Sequence, residues 1–183
     1  MTDTPETTGQ DAGAAAGEQQ NVEFAVVSQY VRDLSFENPN APQSFMTDQG
    51  KPQIDIKVDL NARRGSDTNF EVILKIRADA RSEDSKTALF VAELEYGGLF
   101  HIKNVPNESL QPVLLIEAPR LLFPYARRIL ADATRDGGFP PLQLDPIDFV
   151  ALYRARVQAQ QQQAEADAAK GDDPLSGPAQ GNA

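Results

Sequence analysis

The sequence predicts an α+β fold in which four antiparallel strands are followed by two helices. Three observations carry that prediction. Apolar side chains alternate strictly through residues 53–62, and the pattern repeats over 69–80, as in strands with one covered and one wet face. Two later segments, near Leu122 and Phe149, change to the three-and-four spacing of helices. With 183 residues, 40% of them apolar, the chain can bury one sizeable core.

Residues 1–21 hold no large apolar group beyond Met1 and read as a disordered acidic tail, because too little surface is available to offset the entropy of ordering. The body is expected over residues 22–160. Its first strand, long and bent, starts at Phe24, with Phe24, Val26, Tyr30, Leu34 and Phe36 in one parity class and Val27, Val31, Asp33 and Glu37 in the other. Asn38, Pro39, Asn40 and Pro42 end it. The second strand places Ile54, Ile56, Val58 and Leu60 opposite Asp55, Lys57 and Asp59, and the third carries Phe70, Val72, Leu74, Ile76 and Ala78 on one side. The links between strands two, three and four suit antiparallel hairpins, giving a meander or a close relative.

Residues 88–100 form the stretch around which the chain is organised. Ala88, Phe90, Ala92, Leu94 and Tyr96 point one way, and Leu89, Val91, Glu93 and Glu95 the other. Gly97 and Gly98 remove two side chains together, which suits a bend, a bulge or a close approach. Downstream, Leu122, Ala126, Ile129, Leu130 and Ala133 make one helix face, stopped by Gly137 and Gly138. A second helix is expected from Asp145, with Pro146 at its first position and a stripe of Phe149, Leu152, Tyr153 and Val157. Residues 161–183 read as a second disordered acidic tail.

The formal charge is −10, of which the two polar ends supply most. No basic stripe is present for nucleic acid, and no apolar run approaches the ~20 residues that span a bilayer. Absence of cysteine excludes disulfides, thiolate metal sites and a cysteine nucleophile, and suits a reducing compartment. A lone His101 cannot anchor a common zinc site. Glu93 and Glu95, roughly 7 Å apart along a strand, imitate a carboxylate pair, but such acids on a strand face read as a solvated or partner-binding surface.

Four blocks in order and in register make the chain resemble the SecB family of bacterial protein-export chaperones: YVRDLSFENPNAP from Tyr30, ELEYGGLF from Glu93, LLFPYAR from Leu121 and GGFPPLQLDPIDFVALY from Gly137. The resemblance spans roughly residues 23–160. One departure stands out, since the family commonly has a Trp after the first strand where this chain reads Asp48, Gln49 and Gly50.

The resemblance implies a SecB-like subunit assembling as a homotetramer, a dimer of dimers, in the cytoplasm. It further implies binding of unfolded preproteins and their delivery to the motor ATPase SecA, with no reaction, no cofactor and no direct membrane insertion. Carried over by position, the SecA-binding residues are Asp33, Glu37, Val91 and Glu93. The alternation in the fourth strand assigns Ala92, Leu94 and Tyr96 to the tetramer interface or to packing on the subunit's own helix. Phe36, Phe45, Phe100 and Phe149 are candidates for the client-binding groove or for core. Two other readings remain: an oligomeric adaptor docking a basic partner without general chaperone activity, and a small-molecule-binding domain, whose convergent polar groups are not found.

Overall fold

Every layer of the protein meets at one strand. A computed structural model of the chain describes residues 21–46, 50–84 and 86–170; the expected tail at 1–20, the Asp48–Gln49 departure and residues 171–183 lie outside them. Strand β4, Ala88–Lys103, pairs on one side with β1, Glu23–Glu37, and on the other with β3, Asn69–Arg81. Strand β2, Gln53–Arg64, completes an antiparallel sheet of order β1-β4-β3-β2. β2, β3 and β4 form the expected meander. β1 lies on the far side of β4, reached by a longer connection carrying the short helix α1, Gln43–Met46, which makes the order a Greek key.

Asn104, at φ 59°, turns the chain out of β4 into a run of helix that sequence patterning catches only in its second half. α2, Asn107–Pro112, leads into a π-helical turn, Val113–Glu117, and then into α3, Ala118–Asp136. Pro112 has no N–H to give to a preceding carbonyl, and the wider turn follows directly after it. α3 buries Leu122, Ala126 and Leu130, as its spacing predicts, together with Phe123 and Thr134.

α4, Phe149–Lys170, departs from expectation at both ends. Residues 140–148 stay irregular, so Asp145 is not the cap. Asp148 takes that place, its Oδ1 accepting from the Val150 and Ala151 N–H groups at 3.0 Å each. The helix then passes the expected boundary at residue 160, carried by Gln, Ala and Glu, which are good helix formers, with side chains exposed over residues 161–167.

The parity reading of β1 also needs correction at two residues, Tyr30 and Val31, the latter pairing with Tyr96 on the helix side. Register shifts between Val26 and Ser28 and between Val31 and Asp33 reverse the alternation twice. Phe24, Val26, Leu34 and Phe36 therefore keep the helix side, opposite Ile102, Phe100, Leu94 and Ala92, while Tyr30 moves to the outer side.

Gly97 and Gly98 serve close approaches on opposite faces, with β4 continuing through them. A Cβ on Gly97 would stand 2.7 Å from the Tyr30 ring, and one on Gly98 would stand 2.7 Å from both Leu122 of α3 and the Phe100 ring. Tyr30 thus seals the outer face over Ile73, while α3 reaches the sheet backbone on the inner face. Gly98→Ala should lower stability by roughly 1–3 kcal/mol, the range for overpacking. Urea unfolding with an unchanged slope and an earlier midpoint would show it, and an unchanged midpoint would contradict this account of the packing.

Candidate functional site

The helix side of the sheet is only partly roofed. Val72, Leu74, Ile76 and Ala78 of β3 and their β4 neighbours are fully covered, and the cover thins towards β2. There Leu60 is buried and Val58 half-buried, while Ile56 and Ile54 are exposed; all four share that face through pairing with Leu74, Ile76, Ala78 and Ala80. α4 stands over the Leu60 end, where Arg156 donates to the Leu60 carbonyl at 2.7 Å and so satisfies one backbone acceptor of an edge strand. A cleft of about 420 Å³ opens beside it, lined by Val58, Leu60, Leu115, Leu152 and Tyr153.

At the other end of β2, Ile54 pairs with Ala80 and Ala80 with Phe90. Phe90 anchors an aromatic cluster, its ring 5.6 Å from Phe36 and 5.0 Å from Phe139, with Phe45 a further 5.3 Å from Phe139. The loop that supplies Phe139 is pinned to the end of α3 through buried Thr134: its carbonyl accepts from the Phe139 N–H at 3.1 Å and its hydroxyl from the Leu142 N–H at 2.9 Å. Gly137 leaves room for Phe36, since a Cβ there would lie 2.2 Å from that ring, and Gly138 turns the chain at φ 88°. Phe45 remains 52% exposed and the neighbouring Met46 80%. An apolar strip thus runs from Phe45 past Ile54 and Ile56 to the cleft under α4.

Of the four aromatics nominated for a groove, this strip brings together Phe36 and Phe45. Phe100 and Phe149 are interior instead, which corrects their candidacy: Phe100 stacks on Phe24 at 5.5 Å and Phe149 meets Phe123 edge-on at 6.1 Å, both essentially without exposed surface. A ring that no incoming chain can touch cannot line a groove. Ile54, Ile56 and Phe139 were missed, although the period-two pattern of β2 had already set both isoleucines on one face.

Ala92, Leu94 and Tyr96 are likewise covered within the one chain, which favours the second of the two roles weighed for them. Tyr96 reaches outward indirectly, its ring 6.4 Å from that of Tyr125, and Tyr125 and Leu121 are exposed one turn apart on α3.

On the outer face, register sets Asp33 opposite Glu95, Ser35 opposite Glu93 and Glu37 opposite Val91. The four residues nominated for a partner contact therefore share one surface at the β1–β4 pairing. Sequence reading missed the bases beside them. Lys75 and Arg77 of β3 lie opposite Glu95 and Glu93, Arg77 ion-pairs with Glu93, and Lys75 is 3.2 Å from Glu95. Their signal was the same two-residue spacing in β3, legible only once the register is known.

Further along this face Arg63 and Tyr30 both donate to Glu71 and hold its carboxyl below the usual range. Burial, followed by the bond to Glu71, raises the Tyr30 hydroxyl. Arg77 does for Asp79 what Arg63 does for Glu71, through two bonds of 2.8 Å. A carboxyl lowered in the folded state contributes stability above its unfolded pKa, about 4.3 for Glu, and loses it as pH falls towards the folded value. Urea midpoints between pH 6 and 3 should therefore fall more steeply for the native chain than for Arg63→Gln. Parallel curves would remove Glu71 from the acid response.

Among the described residues no three potential metal ligands come together and no helix is long and apolar enough to cross a membrane. What the scaffold presents is a binding protein's pair of surfaces, an apolar strip beside one edge and a charged patch on the opposite face. A solved SecB-like chaperone of Mycobacterium tuberculosis, in complex with a ChAD peptide from the HigA1 antitoxin, shares the fold at a TM-score of 0.54 and 18% identity, over 68% of this chain and 91% of its own. The family model described as preprotein translocase subunit SecB matches residues 17–161. The protein-export protein SecB of Parvibaculum lavamentivorans is 52% identical over 158 residues, covering 86% of this chain and 93% of its own; that of Xanthobacter autotrophicus is 54% identical, covering 77% and 89%. This chain belongs to the SecB family and is a chaperone for protein export.

Proposed function

We propose that the chain holds unfolded preproteins in the cytoplasm along the strip from Phe45 to the α4 cleft and delivers them to SecA through the outer acidic face. The observation that carries this reading is the strip itself. Exposed Phe45, Met46, Ile54 and Ile56 lie beside an edge strand whose backbone can pair with an extended segment. Such contacts read backbone and apolar bulk with no sequence code, as a carrier of many clients needs. Holding requires no bond to be made or broken, so the proposed activity is non-catalytic.

Assembly as a dimer of dimers belongs to the same proposal. What supports it is apolar surface left on the single chain: Leu121 and Tyr125 on α3, and Val26, Val27 and Val31 on the edge strand β1. Ala92, Leu94 and Tyr96 then act through the helix they support. Several copies of the strip on one particle raise the effective affinity for a long unfolded chain.

Suppression of aggregation of an unfolded, unrelated protein, with native mass followed in parallel, tests the holding role. Ile56→Asp and Phe45→Ala should each weaken suppression severalfold at unchanged mass and fold, while Val150→Asp on α4 should not. Full suppression by the Phe45→Ala, Ile56→Asp double variant would remove the strip from client binding.

The motor contact is tested separately. Asp33→Lys with Glu37→Lys should reduce SecA binding and on-rate at low salt, with client holding intact, because exposed charges act over about 8–10 Å at physiological ionic strength. Unchanged SecA binding by this double variant would show that these acids are only solvated surface.

A further inference from the structure

The acids of the outer face are not equivalent. Glu93 and Glu95 have side chains 25% and 26% exposed, whereas the bases lying against them, Arg77 and Lys75, are 39% and 44% exposed. Besides Arg77, Glu93 has Lys75 at 3.7 Å; Glu95 has Lys75 at 3.2 Å and Arg32 at 3.6 Å. A cation approaching this part of the sheet meets other cations first. Asp33 and Glu37 are exposed, and among the described residues no base lies within ion-pair distance of either.

Arg77 is also placed to let go. Its Nε and Nη2 donate to the two oxygens of Asp79 at 2.8 Å each, while its Nη1 serves Glu93. Withdrawal from Glu93 therefore leaves the guanidinium with a bidentate carboxylate partner, the stronger of its two attachments. Glu93, once released, has an open side towards β1, where Ser35 stands opposite it.

We propose that Lys75 and Arg77 are built-in competitors for the docking acids: they occupy Glu93 and Glu95 until a basic segment of the partner displaces them. Asp33 and Glu37 make the first capture, and the displacement sets how tightly the partner is then held. This rests on the reading that the outer face docks SecA. The two bases act as positioning residues for that contact without touching the partner, and they keep the acids from binding stray cations in its absence.

SecA binding to the full-length chain at low salt tests the idea. Arg77→Gln should tighten binding about two- to fivefold, the yield of one exposed ion pair no longer to be broken. A general change in net charge would tighten binding as well, so the deciding readout is a double-mutant cycle. Glu93→Gln should cost more in the Arg77→Gln background than in the native one, whereas Asp33→Asn should cost the same in both. Equal costs for Glu93→Gln in the two backgrounds, or no tightening by Arg77→Gln, would overturn the proposal. Should Arg77→Gln fail to fold, Lys75→Gln leaves the Arg77–Asp79 pair intact and carries the same expectations. If Asp33→Asn and Glu93→Gln both leave SecA binding unchanged, the docking reading itself fails, a result distinct from normal docking without competition.

Discussion

The structure depends on the burial of β4 between two layers at one pair of residues. Gly97 admits the Tyr30 ring on the outer face and Gly98 admits Leu122 on the inner face, so α3 approaches the sheet closely enough to cover Leu74, Ile76 and Leu94 completely. Side chains at both positions would push both layers away. From this contact the rest follows in order: α3 is held over the centre of the sheet, its C-terminal loop is carried to the Phe36–Phe90 end, and the β2 side is left under-roofed. The apolar strip is what α3 does not reach.

The two opposite faces of the sheet thus differ because of what covers them. On the helix side, exposed isoleucines at the edge strand are a liability that most proteins avoid, and here Arg156 and α4 blunt only the Leu60 end. On the outer side, cross-strand pairs of opposite sign fill the centre, while Asp33 and Glu37 of the edge strand β1 have no such pair among the described residues. Pairs of this kind between partly exposed groups are individually weak.

Aromatic residues illustrate how the same side-chain chemistry is sorted by place. Phe45 and Phe139 sit at a loop meeting where glycine and a pinned turn leave them reachable, whereas Phe100 and Phe149 have closed interior neighbours. Phe90 is buried like Phe100, but the rings it touches, Phe36 and Phe139, are only partly covered.

The strand faces, the helix stripe of Leu122, Ala126 and Leu130, the glycine stop and the family blocks were all determined by the sequence itself, because each depends on residues a few positions apart along one element. Tertiary structure alone decided the rest. The two bulges that set Tyr30 outward exist only against the register of β4, and the β3 bases paired with Glu93 and Glu95, Arg77 and Lys75, stand 16 and 20 residues away in the chain. Whether Leu94 or Ile56 faces protein or water depends on where α3 stops. Period along the chain is a local property and cover is not, so the sequence could mark the apolar faces but not say which of them would be left open.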